Sequence, residues 1–140
     1  PGETEEQAAN TYDLLAGLPV AYLHVFPYSR RPGTLAASFG QQLPGPVKEE
    51  RVRLLRALDA AKRQALFQGN IGRIHRVLVE RRQAKTGLLQ GFSENYLPVL
   101  FAGGAHLIRR VVPVRITAVE DGQPMGIIAE DVLEESRQNR

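Results

Sequence analysis

A change of hydrophobic period near Gly69 constrains this chain more than any other feature. Before it, Val47, Leu54, Leu55, Leu58, Ala61, Ala65 and Leu66 keep a helical period, with Pro46 suited to the first helical position. The polar face of that helix carries Lys48, Arg53, Arg56, Lys62 and Arg63. After Gly69 the pattern becomes five short runs, at residues 74–80, 88–93, 96–101, 111–119 and 125–129, with Gly-containing turns among them. Five such runs predict a small five-stranded antiparallel β-barrel of the oligonucleotide-binding type, whose closure removes its sheet edges. Pro98 and Pro113 lack a ladder donor, so each is expected at an edge or a bulge.

The N-terminal part has a different grammar. Thr4 followed by Gln7 matches a capping box, which predicts a helix over residues 5–16. Gly17 fits a left-handed C-terminal position, and Leu18-Pro19 prevents continuation. Residues 20–26, VAYLHVF, then form the continuous apolar run of a strand covered on both faces. One helix and one strand make no sheet, so this segment is expected to be the last αβ unit of a larger α/β domain. Pro32, Gly33, Gly40, Pro44, Gly45 and Pro46 punctuate the following stretch and leave room for one helical turn near residues 35–39. The fold class expected is therefore α+β: a terminal helix-strand unit, a long helix, then the barrel. The divisions fall at 1–45, 46–69, 70–135 and a tail at 136–140, with residues 130–140 polar enough to fray.

Charge is segregated along the chain. Between Tyr28 and Arg115 sixteen Lys or Arg stand against five Asp or Glu, although the net charge of the whole is only +3. Clustered cations point to a polyanion such as nucleic acid, because they release condensed counterions. A solvated, Arg-rich helix face is the competing explanation. The absence of cysteine excludes disulfides, thiolate catalysis and Cys-ligated zinc or iron-sulfur sites within this chain. His24, His75 and His106 have no paired metal-ligand spacing. No run is long and apolar enough to span a bilayer, and the acidic start PGETEEQ is wrong for a secretory signal, so a cytoplasmic protein without a membrane partner is expected.

Five stretches carry a family resemblance. PGETEE, LHVFPYSRRPGT, the cationic helix, VLVE and GFSENY resemble, in the same order, the radical S-adenosylmethionine tRNA methylthiotransferases. HVFPYSRRPGT is most similar to the branch that modifies threonylcarbamoyladenosine beside the anticodon. Leu35 stands where the family often has Pro, and Ser93 where it often has Thr, with the hydroxyl kept. The resemblance implies the end of the radical barrel followed by the RNA-binding barrel called TRAM, with tRNA as partner. In that family, cysteine triplets hold two iron-sulfur clusters, one of which cleaves S-adenosylmethionine. This chain has neither triplet, so the resemblance implies a C-terminal portion that holds no cofactor and has no catalytic residue of its own. It also implies that Pro1, Gly2 and Glu3 lie next to the strand that helps hold S-adenosylmethionine in the parent enzyme. A free-standing RNA-binding module and a protein-interaction domain are the alternatives.

Ligands of α/β folds collect at the C-terminal ends of strands. Arg30 and Arg31 are therefore expected to contact tRNA phosphate and Tyr28 to stack on a base, with Gly33 permitting the bend; a helix-capping or interdomain turn is the plainer role. In the barrel, Arg73, Arg76, Arg81, Arg82, Lys85, Arg109, Arg110 and Arg115 are the phosphate candidates, against a merely solvated exterior. Tyr96 is the stacking candidate, Phe92 is expected in the core, and Asn95 shapes a turn. Residues 20–26, deprived of strand neighbours, are expected to mediate self-association or to be disordered.

Overall fold

Thr4 opens the first helix, α1 (Glu5–Gly17), through the expected capping box: its hydroxyl accepts from Gln7 N–H at 3.2 Å, and Gln7 Oε1 accepts from Thr4 N–H at 2.9 Å. The structure is a computed structural model and describes residues 1–129. It forms two compact units, one over residues 1–63 and one from Gln64 onward. The split falls inside the long helix rather than at Gly69, because the last helical turn contributes Phe67 to the barrel core. The expected fraying of residues 130–140 and the tail at 136–140 lie outside the described residues.

In the first unit α1 is followed by α2 (Leu35–Ser38) and α3 (Gly45–Gln68), the latter crossing into the second unit. Two expectations fail here. Gly17 is the last helical residue instead of a left-handed cap. The chain leaves the helix through Leu18 at φ −74° and ψ 142°, the extended region into which a following proline pushes its predecessor. Residues 20–26 carry no strand, because a ladder needs a second extended backbone and the described residues of this unit supply none. The Leu23 N–H instead donates to Asp59 Oδ1 at 2.6 Å. Cations of α3 also hold this segment and its neighbours. Lys62 Nζ donates to the carbonyls of Ala16 and Leu18 at 3.2 and 2.8 Å, satisfying orphan acceptors at the C-terminal end of α1.

The second unit is a closed five-stranded barrel in the order β1-β2-β3-β5-β4. Its strands are β1 (Ile74–Arg82), β2 (Leu89–Ser93), β3 (Pro98–Phe101), β4 (Val111–Glu120) and β5 (Gln123–Ile128), with a 3₁₀ turn at Ala105–Leu107 before β4. Four pairs are antiparallel, but β3 and β5 run parallel, which corrects the all-antiparallel expectation. Directions cannot alternate around a ring of odd number, so one parallel pair is unavoidable. Pro98 begins β3, where a missing donor costs little, and Pro113 faces the end of β5, its carbonyl accepting from Ala129 N–H at 2.9 Å. Val77, Val79, Val99, Val114 and Ile116 are fully enclosed, with Phe101 nearly so. No helix among the described residues is long and apolar enough to cross a membrane.

Candidate nucleic-acid interface

In β1 the run RVLVE is apolar at three successive positions, and a strand sends neighbours to opposite faces. Val77 and Val79 point into the core at 0% exposure, so Leu78 is forced outward and is 47% exposed. Its cross-strand partner is Phe92 on β2 and its other neighbour is Val111 on β4. Phe92 is therefore half-buried on the outer wall, which corrects its expected place in the core. Together with Tyr96, 70% exposed, these residues line a groove of about 560 Å³ on the barrel surface. Arg76 and Glu80 also line it, on either side of Leu78 along β1.

A polar network fixes the turn that carries Tyr96. His75 is only 8% exposed and bridges two partners, with Nε2 2.9 Å from Asn70 Oδ1 and Nδ1 3.2 Å from Glu94 Oε1. The Asn70 amide donates to Leu66 O at 2.6 Å, so its oxygen is left to accept from the ring. Glu94 Oε2 accepts from Arg76 N–H at 2.8 Å. Partial burial pushes the Glu94 carboxyl up, but hydrogen bonds from its own N–H, His75 and Arg76 outweigh this and hold it below the usual carboxylate value. Ser93 Oγ donates to Asn95 Oδ1 at 2.5 Å and accepts from Leu97 N–H at 2.9 Å, so Asn95 shapes the turn as expected. Tyr96 itself stands at φ 60°, in the left-handed region, and is 70% exposed.

The expected cations separate into two groups. On the barrel, Arg81 is exposed and donates to Gln90 Oε1 at 3.1 Å, and Lys85 is exposed at the β1–β2 turn. Arg109 and Arg110 are exposed and extend the ladder beside Val79, with Arg109 N–H to Val79 O at 2.8 Å. Arg82 is partly structural, since its guanidinium donates to the carbonyls of Gly87 and Gly103 at 2.6 and 2.8 Å. Arg73 immediately precedes β1 and Arg115 stands opposite its first residue, Ile74, and Arg115 donates to Gly72 O at 3.4 Å.

In the first unit the cations mostly serve the fold. Arg30 Nε donates to Ala37 O at 2.8 Å, tying its loop to α2, and both Arg30 and Arg31 are exposed. Gly33 takes φ 81°, as the bend requires. Tyr28 is half-buried with an enclosed hydroxyl, and Lys48 Nζ donates to its carbonyl at 3.2 Å. Arg51 binds Glu3 at 2.6 Å and Glu5 at 2.8 Å, and Gly2 N–H donates to Gln41 O at 2.9 Å beside Pro1. The cationic block is thus two things: internal fastening along α3 and an open band on the barrel. The sequence did not separate them, because cations that fasten carbonyls look the same as cations that face water. Leu78, Val111 and the His75 network were missed as site residues; the clue available was three successive apolar positions in one strand of a closed barrel.

The chain is 46% identical over 79 residues to the threonylcarbamoyladenosine tRNA methylthiotransferase MtaB of Aquifex aeolicus, a match covering 56% of this chain and 19% of that protein. It is 31% identical over 144 aligned positions to the MtaB of Bacillus subtilis, covering 98% of this chain and 32% of the relative. It is also 36% identical over 118 residues to a tRNA-2-methylthio-N(6)-dimethylallyladenosine synthase of Sphingopyxis alaskensis, covering 84% and 27%. The chain therefore spans about a third or less of the length of these curated relatives. No protein-family model matches it.

Proposed function

Since the chain belongs to the tRNA methylthiotransferase family, as the C-terminal part of such proteins, we propose that it is the tRNA-binding portion of a cytoplasmic radical S-adenosylmethionine enzyme that adds a methylthio group to threonylcarbamoyladenosine next to the anticodon. The observation that carries this reading is the barrel face on which exposed apolar and aromatic side chains lie beside exposed arginines. Flat rings accept stacked bases without regard to sequence, and the neighbouring cations neutralise phosphates. The 46% match to an MtaB protein over 79 residues supports the threonylcarbamoyladenosine branch, whereas over nearly the whole chain an MtaB protein is 31% identical and a dimethylallyladenosine synthase 37%.

In such an enzyme the two clusters and S-adenosylmethionine supply the radical chemistry. The residues here do not fit cluster ligation: there is no cysteine, and among the described residues no group of three or more His, Asp or Glu is placed to hold a metal. Of Pro1, Gly2 and Glu3 only Glu3 carries a polar side chain, and one of its carboxylate oxygens is held by Arg51. The proposed role of this chain is to hold and orient the RNA.

The test is tRNA affinity across a salt series. Each phosphate neutralised contributes roughly 0.7 to 0.9 to the slope of log affinity against log salt. Arg81→Ala with Lys85→Ala, and separately Arg109→Ala with Arg110→Ala, should each lower that slope by roughly one to two while weakening different RNAs alike. If both double variants match the parent, the barrel band is not the RNA surface and a protein-interaction role replaces the reading.

A further inference from the structure

Glu80 is an unusual lining residue for a groove that meets a polyanion. The β1–β2 register passes from Val79↔Gly91 to Arg81↔Gln90, so two residues of β1 stand against one of β2 and Glu80 is the extra one. Such a bulge re-aims a side chain and interrupts the ladder, and bulges gather beside binding sites. Glu80 is exposed, and among the described residues its carboxylate has no hydrogen-bond or ion-pair partner. The second groove carboxylate is different. Both oxygens of Glu94 are engaged, one with His75 and one with Arg76 N–H, so of the two groove carboxylates Glu80 is the free one.

From Arg76 to Glu80 is four residues of strand, about 13 Å, with Leu78 and Phe92 as the floor between them. A cation at one end, a free carboxylate at the other and an apolar floor suit one nucleotide unit, with phosphate toward Arg76 and the base edge toward Glu80. We propose that the groove receives an unpaired base of single-stranded RNA and that Glu80 accepts a hydrogen bond from its exocyclic amino group, so that cytosine is preferred to uracil. This rests on the RNA-binding reading above. Cytosine presents an N4 amino donor where uracil presents the O4 acceptor. An ionised carboxylate only accepts, so it pairs with the first and repels the second. The same charge keeps phosphates out of that end of the groove and leaves them the Arg76 end.

The experiment compares fluorescein-labelled octacytidylate and octauridylate binding to the whole chain by anisotropy, at fixed salt and across a salt series. The parent should prefer octacytidylate by roughly five- to tenfold. In Glu80→Gln the ratio should fall to near one, because an amide can turn either a donor or an acceptor to the base, with the salt slope unchanged. Phe92→Ala should weaken both oligonucleotides together. Equal affinity of the parent for the two, or a preference that survives Glu80→Gln, overturns the proposal. Salt-dependent binding without preference would leave the RNA role standing and remove the base assignment alone. No binding to either oligonucleotide or to tRNA would remove both.

Discussion

Gly91→Ala should be the most damaging single-methyl change in the barrel wall. Gly91 lies opposite Val79 where the register shifts, and a Cβ built there runs into Leu78 O, with Val77 Cγ1 at 2.7 Å and the Leu78 carbonyl carbon at 2.9 Å. Two of these three atoms are backbone of β1, and Val77 is fully enclosed, so neither side can yield without moving the strand. Overpacking of a close-packed interior costs about 1–3 kcal/mol, and with a backbone obstacle this case is expected at about 2 kcal/mol or more. For a unit of this size that corresponds to a fall in Tm of roughly 8–16 °C. Thermal unfolding followed by circular dichroism, with the barrel transition identified by amide exchange of Val77 and Val114, measures it. The shift should be accompanied by loss of discrimination between cytosine and uracil, since β1 carries Glu80. A Tm within about 3 °C of the parent would show that β1 is free to move there, and the bulge would no longer be a fixed feature of the groove.

Three other outcomes are expected. Tyr96→Ala should change stability by no more than about 0.5 kcal/mol, because the ring is mostly exposed, yet weaken RNA binding by about 1–3 kcal/mol; a large loss of Tm with unchanged affinity would make it a packing residue. The Glu94 carboxyl is depressed in the folded state, so its contribution is present above the unfolded value and disappears as pH falls through the folded one. Between about pH 6 and pH 3 the parent should thus lose more stability than Glu94→Gln, by an amount limited by solvent screening, and parallel pH profiles would refute the assignment. The first unit has no fully buried residue, and Phe26 is 79% exposed, so we expect concentration-dependent self-association through residues 20–26. Light scattering should show it diminished by Phe26→Ser, and a monomer at all concentrations would contradict it.

Much of the barrel was legible because each strand obeys local rules. Period-two runs located all five strands to within a few residues, and Thr4 with Gln7 located the start of α1. The parallel β3–β5 pair was missed although the odd strand number demands it: periodicity reports each strand alone, and direction belongs to the closed ring. Residues 20–26 have strand composition but no ladder, since β-propensity measures fit to a neighbour that the described residues do not provide. Phe92 was assigned to the core from its ring, whereas its register opposite Leu78 puts it outside. His75, whose spacing pointed to no metal site, is the centre of a buried network because Asn70 and Glu94 reach it from positions 5 and 19 residues away. Charge counting found the cationic block but could not see that Arg51 and Lys62 spend their donors on the first unit.

The most direct measurement is amide chemical-shift mapping of the chain during titration with an anticodon stem-loop RNA. If the barrel face is the RNA surface, shifts should concentrate on Arg76 to Arg82, on Gln90 to Tyr96 and on Arg109 to Val111, should weaken with added salt, and should leave Ile116 and Gly126 in place. Shifts confined to the first unit, or none at RNA concentrations that saturate the parent in anisotropy, would contradict the account.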